Sequence, residues 1–189
     1  VVGSGGREHA ICWKVGQSRL VSDVFCAQGN GGISDIATCV NISVGDLPRL
    51  AQFVEKEQID YTIVGPEQPL IDGIVDFFEE RGLAIFGPNR RAAQVEGSKA
   101  FAKQLMEKYG IPTSAYRSFA DYDSALEYVR QVGAPIVIKA DGLAAGKGVT
   151  VAQTLLEAET ALAHIMRDRA FGTAGDEVVV EECLQGEEL

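Results

Sequence analysis

Histidine is scarce in this sequence, with two in 189 residues, and the four cysteines form no C-x-x-C pair. Cys12, Cys26, Cys39 and Cys183 lack metal-like spacing, which argues against a zinc site. Scattered cysteines of this kind read as small core residues in a reducing compartment, so the expected location is cytoplasmic. Basic residues are outnumbered, 17 against 27 acids, for a net charge of −10. That excludes a general nucleic-acid binder, which needs a basic surface, but leaves room for a small anion held by a few local lysines. No apolar run approaches the length that spans a bilayer, so no membrane partner is expected. A basic-then-apolar leader is missing, as are internal repeats and low-complexity segments. Position 1 is not Met, and only Val1-Val2 remain of an expected first strand. With an acidic Gly186-Glu187-Glu188-Leu189 at the other end, the expectation is a piece of a longer protein.

What is present is ordinary for a globular chain: 46% hydrophobic and 23% charged residues. The first part alternates strand and helix. Val1-Val2 leads into a glycine turn and a helical pattern over 7–17. Val24 to Ala27 reads as a strand before the turn Gly29-Asn30-Gly31-Gly32. A helix over 46–57 sets Leu47, Leu50, Ala51 and Val54 on one face. Strands are expected over 61–64 and 83–86, each stopped by a Gly-Pro pair, with a helix over 69–81 between them. This rhythm predicts a parallel α/β sheet, whose ligands lie beyond the carboxyl ends of the strands. A further helix over 98–109 ends at Gly110-Ile111-Pro112, the expected domain boundary. Beyond it the pattern changes to a small α+β unit. A strand is expected over 115–119, a helix over 121–131, a glycine-rich hairpin, a helix over 155–169 and a strand over 177–183.

The hairpin carries the sharpest signal. Gly142-Leu-Ala-Ala-Gly146-Lys147-Gly148 looks like a Walker loop but fails twice: three residues separate the outer glycines, and Gly148 stands where a Mg²⁺-holding hydroxyl should be. Its flanks, IVIK and VTVA, are apolar and β-branched, which predicts two strands with a mobile glycine tip rather than a strand and a helix. Lys139 sits inside the otherwise apolar first flank, where an ammonium is costly unless it reaches an anion or water. Simple snorkelling at a strand edge is the plainer reading, but the adjacent Gly142, Gly146, Lys147 and Gly148 favour phosphate.

Three further groups have weaker signals. Gly3-Ser4-Gly5-Gly6-Arg7-Glu8-His9 joins a strand to a helix, where free N–H groups suit an anion or simply make a turn. It is no dinucleotide fingerprint, because position 8 is Glu8 and not glycine, and a carboxylate beside a pyrophosphate is unfavourable. His9 reads as a helix-start hydrogen-bonding residue. Gly65-Pro66-Glu67 places a carboxylate just past a strand end, suited to sugar hydroxyls or an amine, or merely solvated. Glu181-Glu182-Cys183-Leu184 ends an apolar strand, with Glu187-Glu188 after it, and reads as a surface cluster or as a nucleobase and ribose anchor.

Together these stretches resemble the ATP-grasp superfamily and, within it, the glycinamide ribonucleotide synthetase family. The resemblance rests on GGREHA (5–10), GPEQPL (65–70), FGP (86–88), EGSKAFAK (96–103), PIVIKADGLAAGKGV (135–149) and EECLQGEE (181–188), in order along nearly the whole chain. It implies an α/β fold: an N-terminal parallel-sheet, Rossmann-like pre-ATP-grasp domain over 1–110, then a small α+β ATP-grasp lid over 111–189, the rest of that domain lying outside this sequence. It implies ATP-dependent ligation of glycine to 5-phosphoribosylamine, with ATP and Mg²⁺ as cofactors and the Mg²⁺ and glycine ligands beyond Leu189. By this similarity Lys99 and Lys139 contact ATP phosphates, and the loop from Asp141 to Gly148, with Gly142, Gly146 and Lys147, closes over them. Glu181 accepts from the adenine amino group beside the Cys183 and Leu184 backbone, and Glu188 holds the ribose. Gly5, Gly6, Gly29, Asn30, Gly65 and Glu67 bind phosphoribosylamine. No catalytic residue is expected within 1–189, and the fragment alone is expected to be inactive. Cys12 and Cys183 depart from the apolar residues expected at their positions and read as packing substitutions. A monomer or weak oligomer is expected. The rivals are another ATP-grasp purine enzyme, against which GGREHA and GLAAGKGV argue, and a non-catalytic ATP-binding module.

Overall fold

The computed structural model describes residues 1–144 and 146–187. It divides into two compact units, 1–93 and 94–189. In the first unit, β1 (Val2–Gly3), β2 (Phe25–Gln28) and β3 (Thr38–Val40) pair in parallel in the order β1-β2-β3. β4 (Thr62–Ile63) and β5 (Ile85–Phe86) form a second parallel pair. A parallel bridge from Val2 to Val64, with Gly65 N donating to the Val2 carbonyl at 3.0 Å, joins the two sets through β1. The strand sequence across the unit is therefore β3-β2-β1-β4-β5, and β1 and β4 carry their glycine turns to the same edge.

The helices of this unit follow from caps and apolar faces. α1 (Gly6–Val15) opens at the glycine turn. α2 (Leu47–Lys56) begins where Asp46 accepts from Arg49 N, with Pro48 in the first turn, and buries Leu50, Ala51 and Val54. The periodic stretch expected as one helix over 69–81 is two, α3 (Glu67–Asp72) and α4 (Ile74–Glu79), because Gly73 takes a left-handed φ of 92°. Val2, Ala27, Leu50, Val54, Val64, Ile74 and Phe78 form the main core. Cys12 and Cys26 are fully buried beside Ile33, as small core residues. Cys39 is exposed and Cys183 half-buried, so the core reading holds for two of the four thiols, all of them free.

The helix α5 (Arg90–Gly97) runs across the division at residue 93, and α6 (Lys99–Tyr109) belongs to the second unit. The Gly110 stop ends α6 at a left-handed φ of 64° but does not divide the units. The physical reason is local: Ala100 N donates to Asp141 Oδ1 at 2.7 Å, tying the start of α6 to the hairpin. The sheet of the second unit is antiparallel, in the order β6-β9-β7-β8, from β6 (Tyr116–Phe119), β9 (Val178–Glu182), β7 (Ile136–Ala140) and β8 (Val149–Ala152). α7 (Tyr122–Val132), capped by Asp121, and α8 (Leu155–Met166), capped by Thr154, share its core. Ala125, Val129, Ala158 and Leu162 from these helices pack on Ile136, Ile138, Ala140, Val178 and Val180. Among the described residues no helix is long and apolar enough to cross a membrane.

Candidate functional site

The period of two along a strand decides what each sheet face carries. Ile136, Ile138 and Ala140 of β7 face the helices, so Val137 and Lys139 face the other way. In β9, Val178 and Val180 face the helices, leaving Val179 and Glu181 beside Lys139. Register completes the juxtaposition: Lys139 pairs with Val179 and Val137 with Glu181. Lys139 Nζ reaches Glu181 Oε2 at 2.9 Å. Lys103 Nζ, from α6, lies 3.2 Å from the same oxygen, and Ser114 Oγ donates to it at 2.9 Å. Burial alone would push the Glu181 carboxyl up, but hydrogen bonds from Lys139 and Ser114 and the charge of Lys139, with Lys103 added, hold it below its ordinary value.

Lys99 stands at the first residue of α6. Its ammonium donates to the Asp141 and Gly142 carbonyls at 3.2 and 3.0 Å. Burial pulls its pKa down, and nearby Lys139 adds to that, against the pull of Asp141. Asp141 itself is occupied locally: Oδ1 accepts from Ala100 N and, at 3.2 Å, from Ser98 Oγ, so it caps α6. The hairpin tip is then built on small residues. A Cβ on Gly142 would stand 2.8 Å from that of Ala174, and one on Gly148 would stand 2.6 Å from that of Ala144. Gly146, at a φ of 76°, has open space around it, and Lys147 is exposed. Past β9, Cys183 is half-buried and Leu184 exposed. Glu188 lies outside the described residues.

The edge of the parallel sheet gathers a second set. Gly5 N donates to Glu8 Oε2 at 2.6 Å, which caps α1. Glu8 is buried, and among the described residues its Oε1 has no hydrogen-bond partner. Arg7 Nε lies 3.4 Å away, close enough for an ion pair but out of hydrogen-bonding alignment. The Glu8 side chain fills the notch where Cβ atoms of Gly3 and Gly65 would stand. Arg7 also binds Glu67 Oε1 at 2.9 Å, linking the turns after β1 and β4. Asn30 ties in the turn after β2: Nδ2 donates to the Ser4 carbonyl at 2.8 Å, and Oδ1 accepts from Ile33 N at 2.9 Å. Gly29 N donates to the Gly3 carbonyl at 3.0 Å. The sequence-predicted residues Gly5, Gly6, Gly29, Asn30, Gly65 and Glu67 thus share one sheet edge. Arg7 and Glu8 were overlooked as members of it, although both stand inside GGREHA. His9 packs against Gly32, where a Cβ would come within 2.7 Å of the imidazole, and no side-chain hydrogen bond of His9 is found among the described residues, unlike the hydrogen-bonding role expected at the helix start.

Lys103 was also overlooked. Its signal was the spacing from Lys99, four residues along one helix, which puts both ammonium groups on the same face. Among the described residues no group of three or more His, Cys, Asp or Glu could hold a metal ion.

Comparison with known proteins gives the family of the chain. The family profile described as phosphoribosylglycinamide synthetase, N domain, matches residues 1–96, and the one described as phosphoribosylglycinamide synthetase, ATP-grasp (A) domain, matches residues 97–189. A phosphoribosylamine–glycine ligase from Halalkalibacterium halodurans is 56% identical over all of this chain and 44% of its own length. The chain therefore spans under half the length of the curated relatives it matches. The crystal structure of phosphoribosylamine–glycine ligase from Thermotoga maritima aligns with a TM-score of 0.76 at 31% identity, over 98% of this chain and 44% of that one. A biotin carboxylase–β,γ-ATP complex from Campylobacter jejuni shares the fold, with a TM-score of 0.76 at 16% identity over 97% of this chain and 44% of that one. With both family profiles meeting end to end over its whole length, the chain belongs to the phosphoribosylglycinamide synthetase family.

Proposed function

We propose that the intact protein joins glycine to 5-phosphoribosylamine at the expense of ATP, giving glycinamide ribonucleotide, ADP and phosphate. In this reading the chain supplies the phosphoribosylamine pocket and the ATP lid. The observation that carries it is the meeting of Lys139 and Glu181 on the sheet face turned away from α7 and α8, with the glycine hairpin joining β7 to β8. ATP would supply a phosphate leaving group to a carboxylate that otherwise has only oxide to expel. A cradle of positive charge, rather than a protein nucleophile, is then what the chain must provide.

The residues present fit a nucleoside triphosphate. Lys139 and Lys99 bring two ammonium groups to the base of the hairpin, and Lys147 a third at its tip. The loop from Asp141 to Gly148 would close over the phosphates and exclude water, with Gly146 supplying a left-handed backbone in it. Three donors converge on Glu181 Oε2, leaving Oε1 as that carboxylate's acceptor for the adenine amino group, with the Cys183–Leu184 backbone alongside and Glu188 for the ribose. Arg7 and Glu67 offer a cation and a carboxylate to phosphoribosylamine at the glycine-lined sheet edge formed by Gly5, Gly6, Gly29, Asn30 and Gly65. The functional division we assign is substrate binding ahead of Gly110 and the lid beyond it, with α6 lending Lys99 to the lid. Mg²⁺ would come with the nucleotide's phosphates, since the described residues offer no cluster of acidic ligands for it. Free thiols at all four cysteines support a cytoplasmic setting.

The test is ADP release by the full-length protein with Mg²⁺-ATP, given glycine and freshly formed phosphoribosylamine separately and then together. ADP formed only when both are present establishes the ligase. A folded protein that binds ATP but yields no ADP with both substrates retains the lid and loses the substrate assignment.

A further inference from the structure

Glu181 has two ammonium partners and one charge. Its side chain is 7% exposed, and the two lysines are held differently. Lys103 is 10% exposed and saturated: besides Glu181 it donates to Thr113 Oγ1 and Ser114 Oγ, each at 2.7 Å, with the Ser114 carbonyl at 3.4 Å. Lys139 is 26% exposed, and among the described residues Glu181 is its one polar partner. Ser114 closes the set by accepting from Lys103 and donating to Glu181.

This asymmetry has a consequence when an anion arrives. A buried carboxylate stripped of its only cation is strongly unfavourable, so a lone Lys139–Glu181 pair would resist opening. With Lys103 fixed on the other side, Lys139 can turn away and the carboxylate stays neutralised. We propose that Lys103 is a positioning residue for the nucleotide site: it keeps Glu181 paired so that Lys139 can leave that carboxylate for the ligand's phosphate. The proposal rests on the reading of this face as a nucleotide site. It assigns Lys103 no contact with the nucleotide; its effect passes through Glu181.

The experiment is calorimetric titration of full-length protein with ATP and, separately, with adenosine, which has no phosphate. Lys103→Met is expected to weaken ATP binding by about tenfold, by leaving Lys139 as the sole counter-ion of Glu181. Adenosine affinity is expected to stay within about twofold, because Lys139 still holds the Glu181 carboxylate that meets the base. Adding Glu181→Gln to that variant removes the competing charge; because Glu181 also meets the base, recovery is read as the ratio of ATP to adenosine affinity, expected to rise at least threefold over that of Lys103→Met, while Lys103→Arg alone is expected to retain ATP affinity. An equal loss for ATP and adenosine, or no recovery in the double variant, would reduce Lys103 to a packing role and overturn the proposal. ATP binding unchanged by Lys103→Met overturns the proposal alone, whereas a folded unmodified protein that binds no ATP overturns the nucleotide reading as well. Should Lys103→Met not fold, the double variant decides by the ratio of ATP to adenosine affinity: a ratio within about threefold of the unmodified protein's supports the proposal, and a larger loss overturns it.

Discussion

The two units handle glycine and charge differently. At the parallel-sheet edge, Gly3 and Gly65 lie packed under a buried glutamate, and one arginine bridges to a second carboxylate. In the second unit, a Cβ on the hairpin glycine Gly146 would meet open space, and on the sheet two lysines share one acidic partner. The first arrangement is acid-rich and closely packed, which fits the proposed phosphoribosylamine pocket; the second is cationic, which fits the proposed triphosphate site. Glycine therefore means two different things along one chain: Gly3, Gly65, Gly142 and Gly148 stand in close packing, whereas Gly146 supplies a left-handed backbone in open space.

The largest effect should come from filling the packed notch. Gly65→Ala puts a methyl group onto Glu8 Oε1 and is expected to destabilise the protein by about 3 kcal/mol, read from urea unfolding. A loss under about 0.5 kcal/mol would show that Glu8 shifts freely and that the notch is not preformed. On the other unit, Lys139→Ala is expected to weaken ATP binding about 10- to 100-fold, or ~1.5–3 kcal/mol, by removing a charge-assisted contact. Unchanged affinity in a calorimetric titration would remove Lys139 from the phosphate site.

Acid separates the units further. The Glu181 carboxyl lies below its ordinary value of 4.5, so its stabilising contribution is complete above that value and is lost as pH falls through the folded one. Amide protection in β7 and β9, taken relative to intrinsic exchange at each pH, is expected to fall in that acid range, and Glu181→Gln is expected to abolish this pH response. A response that persists in the variant would locate it elsewhere. A smaller change is expected from Gly146→Ala, about 1 kcal/mol, since the left-handed backbone strains alanine although no atom blocks the methyl. Smallest is Arg7→Ala, with about 0.5 kcal/mol in urea unfolding, because the Arg7–Glu67 pair is largely exposed. If Arg7→Ala instead matched Gly65→Ala, the arginine would be neutralising Glu8 rather than waiting for a ligand.

Much of this was legible along the chain, and the exceptions have physical reasons. The helices over 47–56, 99–109 and 122–132 were readable because side-chain caps and apolar periodicity agree. β3 was missed because Thr38 and Cys39 are exposed on a three-residue strand, which leaves no alternation to read. α5 was missed because its single buried residue, Ala93, leaves no apolar stripe. The break at Gly73 was hidden because the apolar period runs through it, and a glycine inside a helical pattern does not announce its φ. The site behaves likewise. Lys139 stood out as a charge in an apolar strand, whereas Lys103 looked like the ordinary polar face of a helix.

By itself, then, the sequence determined the alternation of elements, the two-strand character of the hairpin and the family, because those depend on local period, turn chemistry and motif order. Only the tertiary structure decided that Asp141 caps a helix some forty residues earlier, that Glu8 fills the space left by Gly3 and Gly65, and that Glu181 is shared by Lys103 and Lys139. Each of these depends on strand register and helix docking, which bring distant residues within 4 Å, and no local pattern encodes that distance.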